Sequence, residues 1–337
     1  MNTRVILRAD GGQQIGLGHI RRAMVLARLF RVSGATVAFA VSNEMAKYLV
    51  DHGVVSAEIL PQSGDWGAHN HVVTDINWSG NARVATHEVA RLAKGAASVT
   101  VIDSMPPDHF MSEPGGAPDL LITPYLNAAN FRPETAAGKW LAGGDYVVID
   151  PDLPAQPSQA HQRPMRVLLS CGGADPEGLS IRALTALLRA NVPVDIAVGP
   201  LFSPALRQEL EVAAARAPQG QVTLHHNPDG LGPLLATASL VVGRVGLLRY
   251  EAASLALAGI YLQFGRAYRE YLQAFAASGA GEVFFAEDDE GEAAFIQRLA
   301  NLAPDDFQCN RKARTLVDGK GAEPVVQAVL NLKKAAP

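Results

Sequence analysis

The strongest constraint in this sequence is a repeated alternation. Short runs rich in Val and Ile are followed by longer segments of helical period, and each half of the chain opens with a run, a glycine turn and a helix. A buried strand reads as a continuous apolar run, and strands separated by amphipathic helices imply parallel sheets covered on both faces. In the first half, strands are expected near Val5–Leu7, Val37–Val41, Val99–Ile102, Leu120–Thr123 and Tyr146–Ile149. In the second they are expected near Val167–Ser170, Val194–Val198, Val222–His225, Leu240–Val242, Ile260–Gln263 and Val283–Phe285. Between the sets, Pro151, Pro154, Pro157 and Pro164 exclude a helix interior or a central strand. The expected fold class is therefore α/β, with two Rossmann-like domains over residues 1–150 and 165–337 joined by a linker over 151–164. Two such domains facing each other would form a cleft at the carboxyl ends of their sheets, where ligands of these folds bind.

Composition removes several classes. With 337 residues, 48% hydrophobic and only 18% charged, the chain has ample material for a core and is not disordered in character. A formal charge of -4 offers no basic footprint for a nucleic-acid backbone. Two cysteines, Cys171 and Cys309, supply neither a disulfide framework nor a Cys-rich zinc site, which fits a reducing compartment. The first residues are too charged for a signal-peptide core, and no apolar run reaches membrane-spanning length. A cytoplasmic protein is expected. Its oligomeric state is left open.

The chemistry concentrates at three glycine turns. The first runs from Arg8 through Asp10, Gly16, Gly18 and His19 to Arg22. Ile20, Met24, Ala27 and Phe30 then recur at helical spacing, so a helix begins near Gly18 or His19. Unpaired N–H groups and the macrodipole make such a start an anion site, and two arginines in the first turn suit an anionic ligand there. His19 reads either as a proton-transfer group or as a local cap. A dinucleotide fingerprint would need glycine where Arg21 stands, which demotes a nicotinamide enzyme.

The second turn, Ser170-Cys171-Gly172-Gly173-Ala174-Asp175, reads as a phosphate cradle or as a plain tight turn, with Cys171 packed rather than nucleophilic. The third carries Arg244, Gly246 and Leu247 and leads into a helix bearing Glu251. A carboxylate there can accept both hydroxyls of a ribose, or pair with Arg244 or Arg249. Tyr268, with Arg269, Glu270 and Tyr271, follows a strand end and could line the cleft, and Asp103 ends the strand Val99–Ile102. His69 and His71, with Asp65 and Asp75, fall in a Gly- and Asn-rich stretch read as a loop without the register to converge on a metal.

Taken in order, Arg8-x-Asp10, Gly16-x-Gly18-His19-x-x-Arg22, Val101-Ile102-Asp103, Ser170 to Asp175 and the Glu251 helix resemble one family. It is the UDP-sugar hydrolases of pseudaminic acid biosynthesis, which cleave a UDP-linked diacetamido-trideoxy-altropyranose. That family is similar to the glycosyltransferase that makes lipid II from UDP-N-acetylglucosamine. The resemblance spans most of the chain and implies a GT-B fold, a UDP-sugar substrate, and no metal or other cofactor. It implies that His19 is the base that activates water, that Asp10 orients the imidazole or holds a sugar hydroxyl, and that Glu251 binds ribose. Gly16, Gly18, Arg22, Asp103, Gly172, Gly173, Arg244, Gly246, Leu247 and Tyr268, from the turns and strand ends above, are the remaining substrate contacts expected. The chain departs from the family in its Arg244, Val245, Leu247 and Leu248, where serines are common, and in Tyr268 to Tyr271, where a polar amide pair is expected. Transfer of the sugar to an acceptor hydroxyl is the alternative reaction.

Overall fold

The computed structural model describes residues 3–64, 66, 70–76, 82–102, 117–131, 139–154, 164–266 and 268–332, with the side chains of 82–86 and 131 excepted. Asp65, His69, Asp103, His109 and most of the proline-rich linker lie outside the described residues. The chain divides into two compact units, one of residues 1–150 with 319–337 and the other of residues 151–318.

The first unit is built on β1 (Arg4–Ala9), α1 (Gly18–Val32), β2 (Thr36–Val41), α2 (Asn43–Asp51), β3 (Ile59–Pro61), β4 (His71–Asp75), α3 (Ala82–Ala93), β5 (Ser98–Ile102), β6 (Leu120–Thr123) and β7 (Lys139–Ala142). Its seven strands are all parallel in the order β3-β2-β1-β4-β5-β6-β7. The order reverses between β1 and β4, which makes the carboxyl ends of those two strands the switch point at which such sheets bind ligands. Ile6, Val72, Val99, Val101 and Leu121 form a core on one face beneath Val89 and Leu92 of α3.

Two expectations fail in this unit. Tyr146–Ile149 is not a strand: a 3-10 turn covers Gly144–Tyr146 and the residues after it are extended and buried without joining the sheet. An apolar run reports burial, and burial here does not require a place in the sheet. The segment at His71–Asp75, expected as loop, is instead the central strand β4. Its polar ends are tolerable because each is satisfied inside the unit, His71 by Ser98 Oγ at 2.6 Å and Asp75 by α1.

The second unit comprises β8 (Val167–Ser170), α4 (Leu179–Arg189), β9 (Val194–Val198), α5 (Pro204–Arg216), β10 (Val222–His226), α6 (Gly232–Thr237), β11 (Leu240–Arg244), α7 (Leu248–Ser254), β12 (Ala258–Phe264), α8 (Arg269–Ala277), β13 (Glu282–Ala286), α9 (Asp289–Ala300) and α10 (Arg311–Leu316). Its six parallel strands run β10-β9-β8-β11-β12-β13, with the reversal between β8 and β11. All six expected strands are present. Leu184 and Leu187 of α4, Leu206 and Leu210 of α5 and Phe295 of α9 cover one face.

At the reversal, Gly243 of β11 lies against β8 so closely that a Cβ would fall 1.9 Å from the Ser170 carbonyl oxygen. The obstacle is backbone and cannot rotate away. Gly243→Ala is therefore expected to cost about 2 kcal/mol or more in urea unfolding, at the upper end of ordinary overpacking. An unchanged midpoint would mean that the two strands separate more easily than their register suggests.

The last helix, α11 (Ala322–Leu330), corrects the expected domain boundary. Residues 319–337 belong to the first unit, not the second, because α11 buries Ala322, Val325, Val326 and Val329 against α1 and the turn at Gly144–Tyr146. Its lead-in Gly321 sits against the Val147 backbone, where a Cβ would be 2.4 Å from the carbonyl oxygen.

Candidate functional site

In the first unit, the turn after β1 is closed on itself. Gly12 donates its N–H to the Gly16 carbonyl at 3.1 Å and accepts from Gly16 at 2.7 Å, with positive φ at both glycines. That small bridge delivers the chain to Leu17 and the start of α1. The N-cap residue Leu17 makes no side-chain cap, the first turn of the helix carries no acidic residue, and a Cβ at Gly18 would meet nothing within 4 Å. His19 thus stands at an open helix N-terminus, its side chain 25% exposed.

The imidazole is held from behind. Asp75 ends β4 in register with Ala9 of β1, and strand alternation directs it to the face on which α1 lies. His19 Nδ1 is 2.7 Å from Asp75 Oδ1. Arg22, one turn further into α1, donates from Nε to Oδ2 at 2.5 Å and from Nη2 to Oδ1 at 2.6 Å. The carboxylate is 4% exposed and the guanidinium 8%. Burial pushes the Asp75 carboxyl up, but the Arg22 charge, followed by His19 and the hydrogen bonds from both, outweighs it and leaves the group at about 2. Asp75 is accordingly a carboxylate at neutral pH.

This geometry corrects two expectations. The anion facing Arg22 is Asp75, and Arg22 is a buried partner of that carboxylate. Asp10 does not hold the imidazole. It accepts from Arg8 Nη1 at 2.7 Å and from Gln62 Nε2 at 3.1 Å, because alternation along β1 and its continuation sends residues 8 and 10 to the other side from Ala9. The residue that reading the sequence missed is Asp75. Its only signal was a carboxylate two residues beyond an apolar pair, Val72-Val73, at a strand's carboxyl end.

His71 and Asp75 are four residues apart on one strand, about 13 Å by strand rise. Among the described residues no group of three His, Cys, Asp or Glu side chains could hold a metal ion.

In the second unit, the Gly172-Gly173 turn lies against Gly199. A Cβ on Gly199 would come within 2.4 Å of the Gly173 carbonyl oxygen and 2.6 Å of that of Gly172, and Leu201 donates to Gly173 at 2.9 Å. The start of α4 beyond it is already occupied by an anion of the chain itself. Asp175 accepts from the N–H groups of Leu179 at 2.9 Å and Ser180 at 2.8 Å and from the Ser180 hydroxyl at 2.6 Å. The expected phosphate cradle at that helix start is thereby corrected: a capping carboxylate takes the donors. Burial first, then the nearby Asp175, pushes the Cys171 thiol well up, which agrees with a packed, unreactive cysteine.

Across the switch point, Arg244 ends β11, donates to Glu177 at 3.0 Å and lies 5.7 Å from the Phe264 ring centre. Gly246 accepts from Arg249 at 2.7 Å, Leu247 precedes α7 and Glu251 lies in its first turn. Tyr268, with φ at 63°, precedes α8. Arg269 pairs with Glu287, and Tyr271 is buried. His225 and Arg166 both bind Asp195.

Two parallel Rossmann-like sheets of seven and six strands place the chain in the GT-B fold class. Among solved structures it is similar to a UDP-GlcNAc 2-epimerase from Neisseria meningitidis bound to UDP-GlcNAc, at 13% identity and a TM-score of 0.61 over 98% of this chain and all of that one. It is similar to MurG from Acinetobacter baumannii at 16% identity and a TM-score of 0.58 over 98% and 100% of the two chains. S. aureus MnaA in its structure with UDP matches at 11% identity and a TM-score of 0.57 over 100% and 99%. No protein-family model matches the chain. No curated protein sequence matches it either. No helix among the described residues is long and apolar enough to cross a membrane.

Proposed function

We propose that this chain is a UDP-sugar hydrolase that releases UDP from a UDP-linked deoxy-diacetamido sugar, in pseudaminic or related nonulosonic acid biosynthesis. The observation that carries the reading is a partly exposed imidazole at an open helix start, backed by a buried carboxylate, at the switch point of a parallel sheet. In the reaction, His19 takes a proton from water as the water oxygen bonds to the anomeric carbon. The bond from that carbon to the phosphate oxygen breaks, and UDP leaves with the electron pair. Gly16 and Gly18 leave room beside the α1 start for substrate. In the second unit, Arg244, Gly246, Leu247 and Glu251 hold the nucleotide, with Glu251 on the ribose hydroxyls and Tyr268 beside them. Gly172 and Gly173 shape the neighbouring turn, and Asp10 is available to a sugar hydroxyl.

Similarity to UDP-bound and UDP-GlcNAc-bound structures supports the substrate class. A second reading, transfer to an acceptor hydroxyl activated by the same histidine, is favoured by glycosyltransferases among the similar structures, such as the spinosyn forosaminyltransferase. Incubating the pure protein with a panel of UDP-sugars separates the two. Release of UDP with no acceptor present is the expected result. Release only after an acceptor is added would establish transfer, and binding without release would leave a nucleotide-sugar binder.

Glu251→Ala is expected to raise KM by about tenfold with kcat little changed, since a ribose contact is equal in ground and transition states. Titration with UDP alone should weaken in parallel. A loss confined to kcat would remove Glu251 from the nucleotide site.

A further inference from the structure

From the geometry we infer that Arg22 and Asp75 are a positioning pair: Arg22 fixes the carboxylate, and the carboxylate keeps the imidazole proton of His19 on Nδ1. Nε2 is then the atom that receives the proton from the attacking water. This deepens the reading of His19 as the base and rests on it. It also reassigns Arg22 from substrate contact to support.

The argument is one of donors and acceptors. An ionised carboxylate only accepts, so an imidazole nitrogen 2.7 Å from Asp75 Oδ1 must carry hydrogen. A lone pair on Nδ1 would face an oxygen lone pair at that distance. The other candidate donor to Nδ1, Arg22 Nη2, is 3.4 Å away and already gives a 2.6 Å bond to Oδ1. Arg22 takes both carboxylate oxygens through two different nitrogens, so Asp75 cannot rotate without losing a bond. Both side chains are buried, and the carboxylate has no water shell to substitute for either partner. His19 and Arg22 are separated by one helical turn and Asp75 comes from a neighbouring strand, so three residues on two elements define one ring orientation.

The pair has a direct readout in the nitrogen-15 spectrum of the histidine rings of the full chain, with His19→Gln identifying the His19 signals. The neutral ring is expected to carry its proton on Nδ1 and none on Nε2. A neutral ring protonated on Nε2 overturns the inference. Kinetics supply the second arm. In Asp75→Asn the amide can donate to Nδ1 and force the proton to Nε2, so kcat for UDP release should fall by about a thousandfold while KM stays within about threefold. Arg22→Lys keeps the charge, yet one ammonium cannot span both oxygens, and a kcat loss of about tenfold is expected. A rise in KM with kcat intact in either variant would mark that residue as a substrate contact and overturn its positioning role. If the unsubstituted protein releases UDP from no sugar, the functional reading falls, and the ring spectrum still decides whether Asp75 sets the proton.

Discussion

Replacing His19 with alanine is expected to lower kcat for UDP release by about 100-fold or more, the usual scale for removing a general base, with nucleotide affinity nearly unchanged. The change deletes the titratable ring at the α1 start and leaves the nucleotide contacts proposed for the other unit untouched. Packing gives little reason for collateral damage, since the side chain is a quarter exposed and Gly18 beside it opens onto empty space. Asp75 keeps its two bonds from Arg22 in this variant, so the buried pair survives and the fold is expected to hold. The measurement is steady-state UDP release with UDP binding followed in parallel. Undiminished turnover would take the catalytic role away from His19, whichever acceptor the sugar goes to.

How far the sequence foretold this site depends on what each residue is paired with. The strands of the second unit were legible because Val167, Val194, Leu240 and Ile260 begin or lie in apolar runs bounded by turns, and a parallel strand buried on both faces must read that way. His19 was legible for a local reason, because glycines followed by an apolar period mark a helix start. β4 was not. His71-Val72-Val73-Thr74-Asp75 has three polar residues in five, and what makes it a central strand is supplied by Ser98, His19 and Arg22, up to 56 positions away. β3 and β7 escaped notice for a related reason. Three- and four-residue strands such as Ile59–Pro61 and Lys139–Ala142 sit at the sheet edges, where a proline or a lysine is tolerated and the apolar signal is weak. The arginine that seemed to await an anionic ligand had a carboxylate of its own, and a helix start that seemed open to phosphate was capped by Asp175. In both cases the electrostatic inference was sound in sign and mistaken in the identity of the anion.

The second large effect concerns stability and follows from the same buried pair. Removing one partner leaves the other as an uncompensated charge in the interior, so Asp75→Leu or Arg22→Met alone is expected to cost about 3–5 kcal/mol. Replacing both residues at once removes both desolvation costs together with the attraction. The double variant should therefore unfold much closer to the original midpoint than the two single losses sum to, a non-additivity of more than about 2 kcal/mol. Acid adds a check of sign. The Asp75 carboxyl is lowered from 3.8 to about 2 on folding, with burial opposing and the Arg22 and His19 charges prevailing. A depressed carboxyl stabilises the folded state above its unfolded value and loses that contribution as pH falls through the folded one. The window is thus from about pH 5 down to pH 2, and the share due to this group is about 2 kcal/mol. Urea unfolding of the original protein should weaken over that interval by about this much more than the double variant does. Parallel acid limbs for the two, or strictly additive single losses, would show that the guanidinium and carboxylate contribute separately, and the rigidity ascribed to the imidazole's support would lose its energetic basis.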